Sequence, residues 1–434
     1  MVGFRLAVGA AYLQTRRRRF GSRDELESWQ RDRLRRVLRR ARRRFPYYSG
    51  IPSDDLSAFP ILDKAGFLDH FDAVNDRGLR LEDCLAAART AEASRRFDAA
   101  LGGVSVGLSS GTSGRQGVFL TSEGERARWA GTMLAKALPG RLRGSRVALV
   151  LRAGGPLYAA VDGPVSFRFV DLYAPLESQI ADLDAFAPTV LAAPPGLLDL
   201  LADRLRARPE VVYSIADVLD PDVERRISEG FGVRVGQIYQ ATEGFLGITC
   251  RQGRMHLNED LAVIETEPVG PGRFVPIVTD LYRTTQAIIR YRLSDVLVEC
   301  EGCDCGSPLR VIERIEGRTD DVLHLPLTSS LPGRTQSLPG RAPGTTGQAP
   351  ATVAVFADLV RGAVLGVDGV RDFTATQDAP DRIVLAVDPA ERWTAAAESL
   401  ATALAAHGVS AIMATGPYSP PDPTAKRRRV SRTW

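Results

Sequence analysis

A segment rich in glycine and hydroxyl residues is the first part of the chain that could do chemistry. Residues 107–117 read "GLSSGTSGRQG", with four glycines, four hydroxyl side chains and no acidic residue. A strand is predicted at "VSVGL" (104–108), and the glycines after it would let backbone N–H groups surround an anion. The segment is neither a Walker loop nor a G-x-G-x-x-G turn. Two interpretations stay open, a phosphate-binding loop and a mobile turn.

A hydroxyl and a carboxylate stand together in "IYQATEGF", residues 238–245. A strand is predicted to end at Tyr239, with Thr242 and Glu243 on the turn that follows. A carboxylate beside a hydroxyl at the carboxyl end of a strand suits magnesium that bridges to phosphates. An aromatic ring there could stack on a base. The alternative is a structural loop in which the threonine acts as a cap.

Two more polar segments follow. In "IIRYRLSDVL" (288–297), Asp295 is predicted on a turn, where it could accept hydrogen bonds from ribose hydroxyls. In "RIEGRTDDVL" (314–323), Gly317 and Arg318 stand beside Asp320 and Asp321. We predict that this second segment is a polar hinge between two domains.

The cysteines are unevenly distributed, with Cys300, Cys303 and Cys305 inside six residues. This spacing does not fit a disulfide framework and indicates a metal. Cys303 and Cys305, joined to Cys250 and His256, could close a tetrahedral zinc site, with Cys300 either a spare or a replacement for one ligand. Reduced, buried thiols are the alternative.

The elements that must position these residues alternate along the chain. An amphipathic helix is predicted at 22–45, with Ser22 or Asp24 as its cap and its arginines on a solvated face. Strands are predicted at 146–151, 167–173, 189–194, 211–219 and 233–239, with helices at 195–208 and 220–232. Such alternation predicts an α/β fold with a parallel-sheet core, whose ligands bind beyond the carboxyl ends of the strands.

The composition changes at 326–351, which is rich in Pro, Gly, Ser and Thr and predicts a flexible insertion. A small α+β domain with a basic tail is expected after it. The predicted division is therefore a large domain at 1–317 (a helical arm at 1–60 and an α/β core at 61–317), a hinge with the insertion at 318–351, and a small domain at 352–434.

Charge and hydropathy exclude several classes of protein. The net charge of +4 predicts no general attraction to nucleic acid. No apolar run approaches the roughly 20 residues of a membrane span. The basic cluster near the N-terminus follows an apolar segment, which is the reverse of a secretory signal. We therefore expect a cytoplasmic protein with no nucleic-acid partner and no membrane span.

Four motifs, in this order, resemble the adenylate-forming superfamily of acyl-CoA synthetases, luciferases and peptide-synthetase adenylation domains. They are Ser-Ser-Gly-Thr-Ser-Gly, Tyr-x-Ala-Thr-Glu-Gly, Ile-Arg-Tyr-Arg-x-x-Asp and Gly-Arg-x-Asp-Asp. Within it, "GLSSGTSG", "LAAPP", "IYQATEGF", "HLNED" and "IIRYRLSDVL" are similar to the phenylacetate–CoA ligase branch. They are most similar to its enzymes related to the methanogen synthetase that adenylates a deazaflavin coenzyme. The resemblance covers nearly the whole chain, from "WQRDRLRRVL" to the basic tail.

This resemblance implies a role for each matching residue. The β- and γ-phosphates of ATP would be wrapped by Ser109, Ser110, Gly111, Thr112, Ser113 and Gly114. Tyr239 would stack on adenine, Thr242 would contact the α-phosphate, and Glu243 would hold Mg²⁺. Asp295 would bind the ribose hydroxyls with Arg318 nearby, and Asp320 would be the hinge. Lys426, in "TAKRRRV", would bring the cation that such enzymes carry on their small domain; a disordered basic tail is the alternative.

The implied reaction is ATP-dependent adenylation of a carboxylic acid with release of pyrophosphate. Transfer of the acyl group to a thiol (CoA or an acyl or peptidyl carrier protein) or to an amine would follow. The alternatives are AMP transfer to a hydroxyl of a small coenzyme-like molecule, and a zinc-stabilised protein that has lost turnover. The branch also favours structural zinc at Cys250, His256, Cys303 and Cys305.

The chain departs from the usual family pattern in its glycine-rich loop. Arg115, Gln116 and Gly117 stand where Pro-Lys is usual. Lysine is rare in this chain, occurring only at Lys64, Lys136 and Lys426, so each lysine calls for an explanation.

Overall fold

The computed structural model describes residues 2–109, 116–138, 140, 142–160, 165–328, 352–420, 422 and 427–434. The chain divides into two compact units. The first comprises Met1–Leu293 and Leu297–Ile315, and the second comprises Ser294–Val296 and Glu316–Trp434.

The helices of the described residues lie mostly in the first unit. They are α1 (Val2–Arg17), α2 (Arg23–Arg44), α3 (Lys64–Asp69), α4 (Leu81–Ala93), α5 (Glu123–Ala137), α6 (Pro156–Ala159), α7 (Leu176–Phe186), α8 (Pro195–Ala202), α9 (Pro221–Phe231), α10 (Ala357–Leu365) and α11 (Trp393–Ala406). Short 3-10 turns lie at Pro46–Tyr48, Leu56–Ala58, Phe71–Ala73, Thr319–Asp321 and Ala390–Arg392. No helix in the described ranges is long and apolar enough to cross a membrane.

The strands of the first unit are β1 (Ala100–Leu101), β2 (Val104–Leu108), β3 (Val118–Thr121), β4 (Arg146–Leu151), β5 (Ser166–Asp171), β6 (Val190–Ala193), β7 (Val211–Ile215), β8 (Val235–Ala241), β9 (Gly244–Thr249), β10 (Met255–Leu257), β11 (Ala262–Gly270), β12 (Arg273–Asp280) and β13 (Tyr291–Arg292). The chain passes between the units along β14 (Asp295–Glu299) and β15 (Val311–Arg318). The second unit adds β16 (Leu323–Pro326), β17 (Thr352–Val355), β18 (Asp372–Ala379), β19 (Arg382–Asp388), β20 (Ile412–Thr415) and β21 (Val430–Arg432).

One large sheet organises the first unit. Its strands follow the order β11-β12-β14-β15-β10-β9-β8-β7-β6-β4-β5, with β13 paired to β12. The pairs from β5 to β8 are parallel, and β8 and β9 form an antiparallel hairpin. Parallel strands covered on both faces are apolar throughout, as in the fully buried β6. The predicted α/β fold with a parallel-sheet core is confirmed, although the strand predicted to end at 219 ends at Ile215.

Helices cover the parallel strands because their apolar stripes match the sheet. In α8, the side chains of Leu197, Leu198 and Leu201 are fully buried in the same core as β6 and β7. Helix α9 begins at Pro221 and is ended by Gly232, which adopts the left-handed conformation. Proline at the start and glycine just past the end are the residues that favour these two helix boundaries. These helices return the chain to the next parallel strand, so the carboxyl ends of the strands meet at one edge.

The arginine-rich helix α2 matches its prediction closely. The Ser22 hydroxyl accepts the Glu25 N–H at its start, and Leu26 and Leu38 are buried. Its arginines are mainly exposed, but Arg23 forms a two-point ion pair with Glu259, whose side chain is only 1% exposed. One arginine of this helix therefore anchors it to the residues around the large sheet, and the others mostly face solvent.

A separate small sheet holds the glycine-rich segment. It has the order β1-β2-β3, and the segment connects β2 to β3. Phe71 and Leu120 are buried beneath it together with Cys84, and burial raises the pKa of the Cys84 thiol to about 11. Cys84 is therefore a neutral core residue.

The second unit is a small α+β domain, as expected. A four-stranded sheet of order β20-β19-β18-β21 and the pair β16-β17 share a core with α10 and α11. The predicted insertion at 326–351 lies largely outside the described residues, and of the part that is described, Pro326 ends β16.

The basic tail is structured where it is described. β21 pairs with β18 in parallel, and Arg427 and Arg429 both bind the Asp372 carboxylate. Tyr418 also donates its hydroxyl to Asp372. From Arg427 onward the alternative of a disordered tail is wrong, because these ion pairs and the strand hold it.

Candidate functional site

The base of the glycine-rich loop is closed by two hydrogen bonds. Gly117 donates its N–H to the Ser109 hydroxyl at 2.7 Å, and Ser109 donates its N–H to the Gly117 carbonyl at 2.8 Å. The two strands β2 and β3 therefore end together at Ser109 and Gly117. Of the predicted phosphate-binding residues, only Ser109 is described; Ser110, Gly111, Thr112, Ser113 and Gly114 lie outside the described residues.

Thr242 and Glu243 form the turn of the β8–β9 hairpin. Ala241 and Gly244 pair on either side of them, so the strand runs two residues beyond Tyr239 before it turns. This places the turn directly after the last parallel strand of the sheet. The prediction of a Thr-Glu turn at the carboxyl end of a strand is confirmed.

The Glu243 carboxylate is held in a defined position. It is 9% exposed and accepts a hydrogen bond from the hydroxyl of Tyr291, which is itself 5% exposed. Burial and the neighbouring negative charge raise the pKa of Tyr291, so its hydroxyl keeps its proton. One donor leaves most of the acceptor capacity of a carboxylate available for a cation.

A cleft lies between the glycine-rich hairpin and the Thr-Glu turn. It encloses about 260 Å³, part of it open to solvent. The described residues that line it are Lys64, Phe67, Leu68, Gly117, Val118, Phe119, Thr242, Glu243, Arg283, Gln286, Ile288 and Tyr291. Two predicted groups, the end of the glycine-rich loop and the Thr-Glu pair, are thus brought together, with two cations and one carboxylate around them.

Tyr239 lies in the buried core below this turn and is 6% exposed. Its Cβ is close to where a side chain on Gly247 would lie, because β8 and β9 pair at these positions. The structure places the ring in the core, and its stacking on adenine stays a prediction.

In the second unit, Asp295 and Arg318 lie side by side. The Arg318 Nε is 3.7 Å from an Asp295 carboxylate oxygen, and the Thr319 N–H donates to the Ser294 carbonyl. Asp295 is the first residue of β14, so its predicted turn is wrong. The backbone hydrogen bond aligns the two segments and keeps the carboxylate beside the guanidinium.

The predicted hinge residue Asp320 is exposed within the turn Thr319–Asp321. Its neighbour Asp321, which the sequence placed in the hinge segment without a role of its own, is the anchored residue. Asp321 accepts the Arg318 N–H at 2.8 Å and binds the Arg428 guanidinium. Lys426, two residues before Arg428, lies outside the described residues.

The four predicted zinc ligands converge in the first unit. The ligand atoms of Cys250, His256, Cys303 and Cys305 all lie within 4.8 Å of one another. The Cys250 and Cys303 sulfurs are 3.7 Å apart, and two thiolates on tetrahedral zinc would be about 3.8 Å apart. Cys300 is not part of this group and contacts the Glu301 carbonyl instead.

The surroundings of His256 suit a metal ligand. Its Nδ1 lies 3.2 Å from the Leu309 carbonyl, and donation of the Nδ1 proton leaves Nε2 free as a ligand. Burial lowers the pKa of His256, which favours the neutral ring that binds metal. The Cys303 pKa is raised to about 11, first by burial, so its thiol is protonated unless a metal holds it. The donor set fits a structural Zn²⁺ site.

Sequence reasoning missed Arg283 and Tyr291 as site residues. Lys64 was marked only by the rarity of lysine. Tyr291 is inside a quoted motif, but nothing in the motif indicates that its hydroxyl faces Glu243. Arg283 stands in "DLYRTTQ", which has no recognisable pattern of its own.

No protein-family profile and no curated protein matches the chain. Solved structures do match it. One is 2-hydroxyisobutyryl-CoA ligase in the postadenylation state with an R3-HIB-AMP ligand, at a TM-score of 0.66 and 16% identity over 94% of this chain and 90% of that one. An open conformation of the same ligase with 2-HIB-AMP and CoA matches at a TM-score of 0.57 and 18% identity, over 92% and 90%.

Fatty acyl-adenylate ligases from E. coli and L. pneumophila match at a TM-score of 0.50 and 13% identity, over 75% of this chain and 68% of theirs. At such low identity these likenesses show the fold alone. The chain therefore has the fold of the adenylate-forming ligases, with a large α/β unit and a smaller C-terminal α+β unit.

Proposed function

We propose that the protein adenylates a carboxylic acid with ATP, forming an acyl-adenylate and releasing pyrophosphate. The observation that carries this proposal is the cleft in which the end of the glycine-rich loop, the Thr-Glu turn and two cations meet. Solved structures with this fold include a CoA ligase in complex with R3-HIB-AMP and fatty acyl-adenylate ligases, which supports the same chemistry.

The chemistry needs positioning and neutralisation of charge more than covalent help from the protein. The carboxylate of the acid attacks the α-phosphate, and the bond to pyrophosphate breaks. Phosphate oxygens gain charge in the transition state, so fixed donors and cations aimed at them lower the barrier. Lys64 and Arg283 supply cationic charge at the cleft, and the hairpin turn holds Thr242 for the α-phosphate.

Glu243 is the residue we assign to Mg²⁺, which when bound would neutralise phosphate charge. Its carboxylate lines the cleft and is oriented by the Tyr291 hydroxyl, so it fits a hard cation that prefers oxygen ligands. We assign the ribose hydroxyls to Asp295 with Arg318, adenine to Tyr239, the phosphates to Ser109–Gly114, the hinge to Asp320 and the mobile cation to Lys426.

After adenylation, we propose transfer of the acyl group to a thiol, with CoA as the favoured acceptor. The solved ligase that matches over 92% of this chain was crystallised with 2-HIB-AMP and CoA. We also place the chain in the phenylacetate–CoA ligase branch, on its motifs, and assign structural Zn²⁺ to the Cys250–His256–Cys303–Cys305 group.

The test is product analysis. Purified protein is incubated with MgATP and a panel of aromatic and aliphatic carboxylic acids, with and without CoA, and the nucleotide and acyl products are identified. The proposal expects AMP and pyrophosphate with at least one acid, and an acyl-thioester when CoA is present. AMP attached to a hydroxyl compound, with no acid used, would instead support adenylyl transfer. Binding of ATP with no turnover of any substrate would support an inactive member of the fold.

A further inference from the structure

Arg283 is a cation at the cleft that the motifs do not account for. Its Nη2 donates to the Thr242 carbonyl at 2.8 Å, but its Nη1 is buried and has no partner among the described residues. Arginine stays charged at all working pH values, and leaving a buried N–H unsatisfied costs about 1–3 kcal/mol. Asp280 already places a negative charge near this guanidinium, so it is the unsatisfied Nη1 N–H that points to a missing acceptor beside the Thr-Glu turn.

The loop that carries Arg283 is fixed from both sides. On one side, an Asp280 carboxylate oxygen accepts the backbone N–H of Tyr282 and of Arg283, both at 2.6 Å. On the other, Glu125 accepts the N–H and hydroxyl of Thr284 and of Thr285. Burial alone would raise the Glu125 pKa, but these hydrogen bonds lower it to about 2. The backbone at Arg283 is therefore rigid, as a preorganised ligand requires.

The same loop is tied to the glycine-rich hairpin. The Gln286 side chain accepts the Leu120 N–H and donates to the Val118 carbonyl, both at 3.2 Å, so it joins β3 like a strand neighbour. The loop that carries Arg283 is thus bonded to the hairpin through Gln286, while the Arg283 side chain itself bonds the Thr242 carbonyl. Its position relative to both is set by hydrogen bonds rather than by a flexible side chain alone.

We propose that Arg283 binds the nucleotide, with Nη1 donating to a phosphate oxygen while Nη2 holds the Thr242 carbonyl. The inference rests on the proposed function in that it places ATP in this cleft. A planar guanidinium suits it, because two parallel N–H groups can reach a carbonyl and a phosphate at once. Arg283 then supplies a cation that Gln116 and Gly117, at the end of the loop, do not.

The test measures binding separately from turnover. MgATP and inorganic pyrophosphate are titrated calorimetrically into wild type, Arg283→Gln and Arg283→Lys, with thermal melts to compare folding. Arg128→Gln is the matched control, since Arg128 lies 4.7 Å from the Tyr282 ring but does not line the cleft. The inference expects about 10- to 100-fold weaker binding of both ligands by Arg283→Gln. Arg283→Lys keeps the positive charge but can make only one of the two contacts, so its affinity for both ligands should fall less than that of Arg283→Gln.

If Arg283→Gln folds poorly, Arg283→Lys provides the test. The inference then requires Arg283→Lys to bind MgATP and pyrophosphate at least threefold more weakly than wild type while its melting temperature is unchanged. Binding within twofold of wild type in both variants overturns the inference. An equal loss of binding in Arg128→Gln, or a wild type that binds neither ligand, also overturns it. Arg283-dependent ATP binding without acid adenylation would leave this inference standing and remove the proposed function.

Discussion

Among the contacts that shape the candidate site, the one made by the Tyr291 hydroxyl can be tested most cleanly, because a single substitution removes only that oxygen. Tyr291→Phe deletes the donor to Glu243 and keeps the ring, which packs edge-on against Phe67 with centroids 5.2 Å apart. The change therefore separates the orientation of the carboxylate from the packing of the core.

The magnitude follows from the burial of both partners. Tyr291 is 5% and Glu243 9% exposed, so water does not readily replace the lost donor. A hydrogen bond to a charged group contributes about 1.5–3 kcal/mol, or about 10- to 150-fold in an equilibrium constant. Because removal of a group that orients a metal ligand costs about 10- to 100-fold in activity, we expect ATP–pyrophosphate exchange to fall by that factor.

A double-mutant cycle assigns the effect to Glu243. If Tyr291 acts through that carboxylate, the double variant Glu243→Gln with Tyr291→Phe should exchange pyrophosphate no more than about threefold more slowly than Glu243→Gln alone. Tyr213→Phe is the matched control, since its buried hydroxyl donates to the Ala137 carbonyl and does not line the cleft. Wild-type exchange in Tyr291→Phe, or fully multiplicative losses in the double variant, would refute this reasoning.

Two further predictions concern other parts of the molecule. Metal analysis of the purified protein should find about one zinc per chain. Cys303→Ser and Cys305→Ser should lose this zinc, and Cys300→Ser should keep it. A wild-type protein that is well folded but contains no zinc would contradict the site. Asp372→Asn should lower the free energy of unfolding of the second unit by about 3 kcal/mol at pH 7, because it leaves Arg427 and Arg429 without their carboxylate. Hydrogen bonds and these cations lower the Asp372 pKa against the effect of burial, so its stabilisation is present above the ordinary value of 3.8 and is lost as pH falls below it. In denaturant titrations the difference in free energy of unfolding between Asp372→Asn and wild type should therefore become smaller below about pH 4. The control Asp381→Asn, at an exposed position, should unfold with the wild-type free energy at every pH.

Much of the α/β frame was predictable because it depends on local patterns. Continuous apolar runs bounded by polar turns gave correct positions for β4 and β6, and capping residues located the start of α2. The Thr-Glu turn followed from where such a run ends. The convergence of Cys250, His256, Cys303 and Cys305 was predictable from side-chain type, since three cysteines and a histidine that can meet favour a metal site.

The remaining site residues depend on pairings that are distant in sequence. Tyr291 reaches Glu243 only because β13 pairs with β12 at Val278, a register that no local pattern specifies. Arg283 is placed by carboxylates from α5 and β12. Asp295 was misassigned to a turn because the polar "LSD" resembles one, whereas sheet pairing of the residues after it makes it the first residue of a strand.

Whether this cleft is the adenylation site is tested by exchange of labelled pyrophosphate into ATP, measured for Glu243→Gln beside wild type and the exposed control Glu398→Gln. The exchange is measured with an acid that the wild type uses and at several Mg²⁺ concentrations. We predict that Glu243→Gln lowers the exchange rate at least about 100-fold and that this loss becomes smaller as the Mg²⁺ concentration is raised. Glu398→Gln should exchange at the wild-type rate. Exchange by Glu243→Gln at the wild-type rate would contradict the assignment of this cleft as the adenylation site.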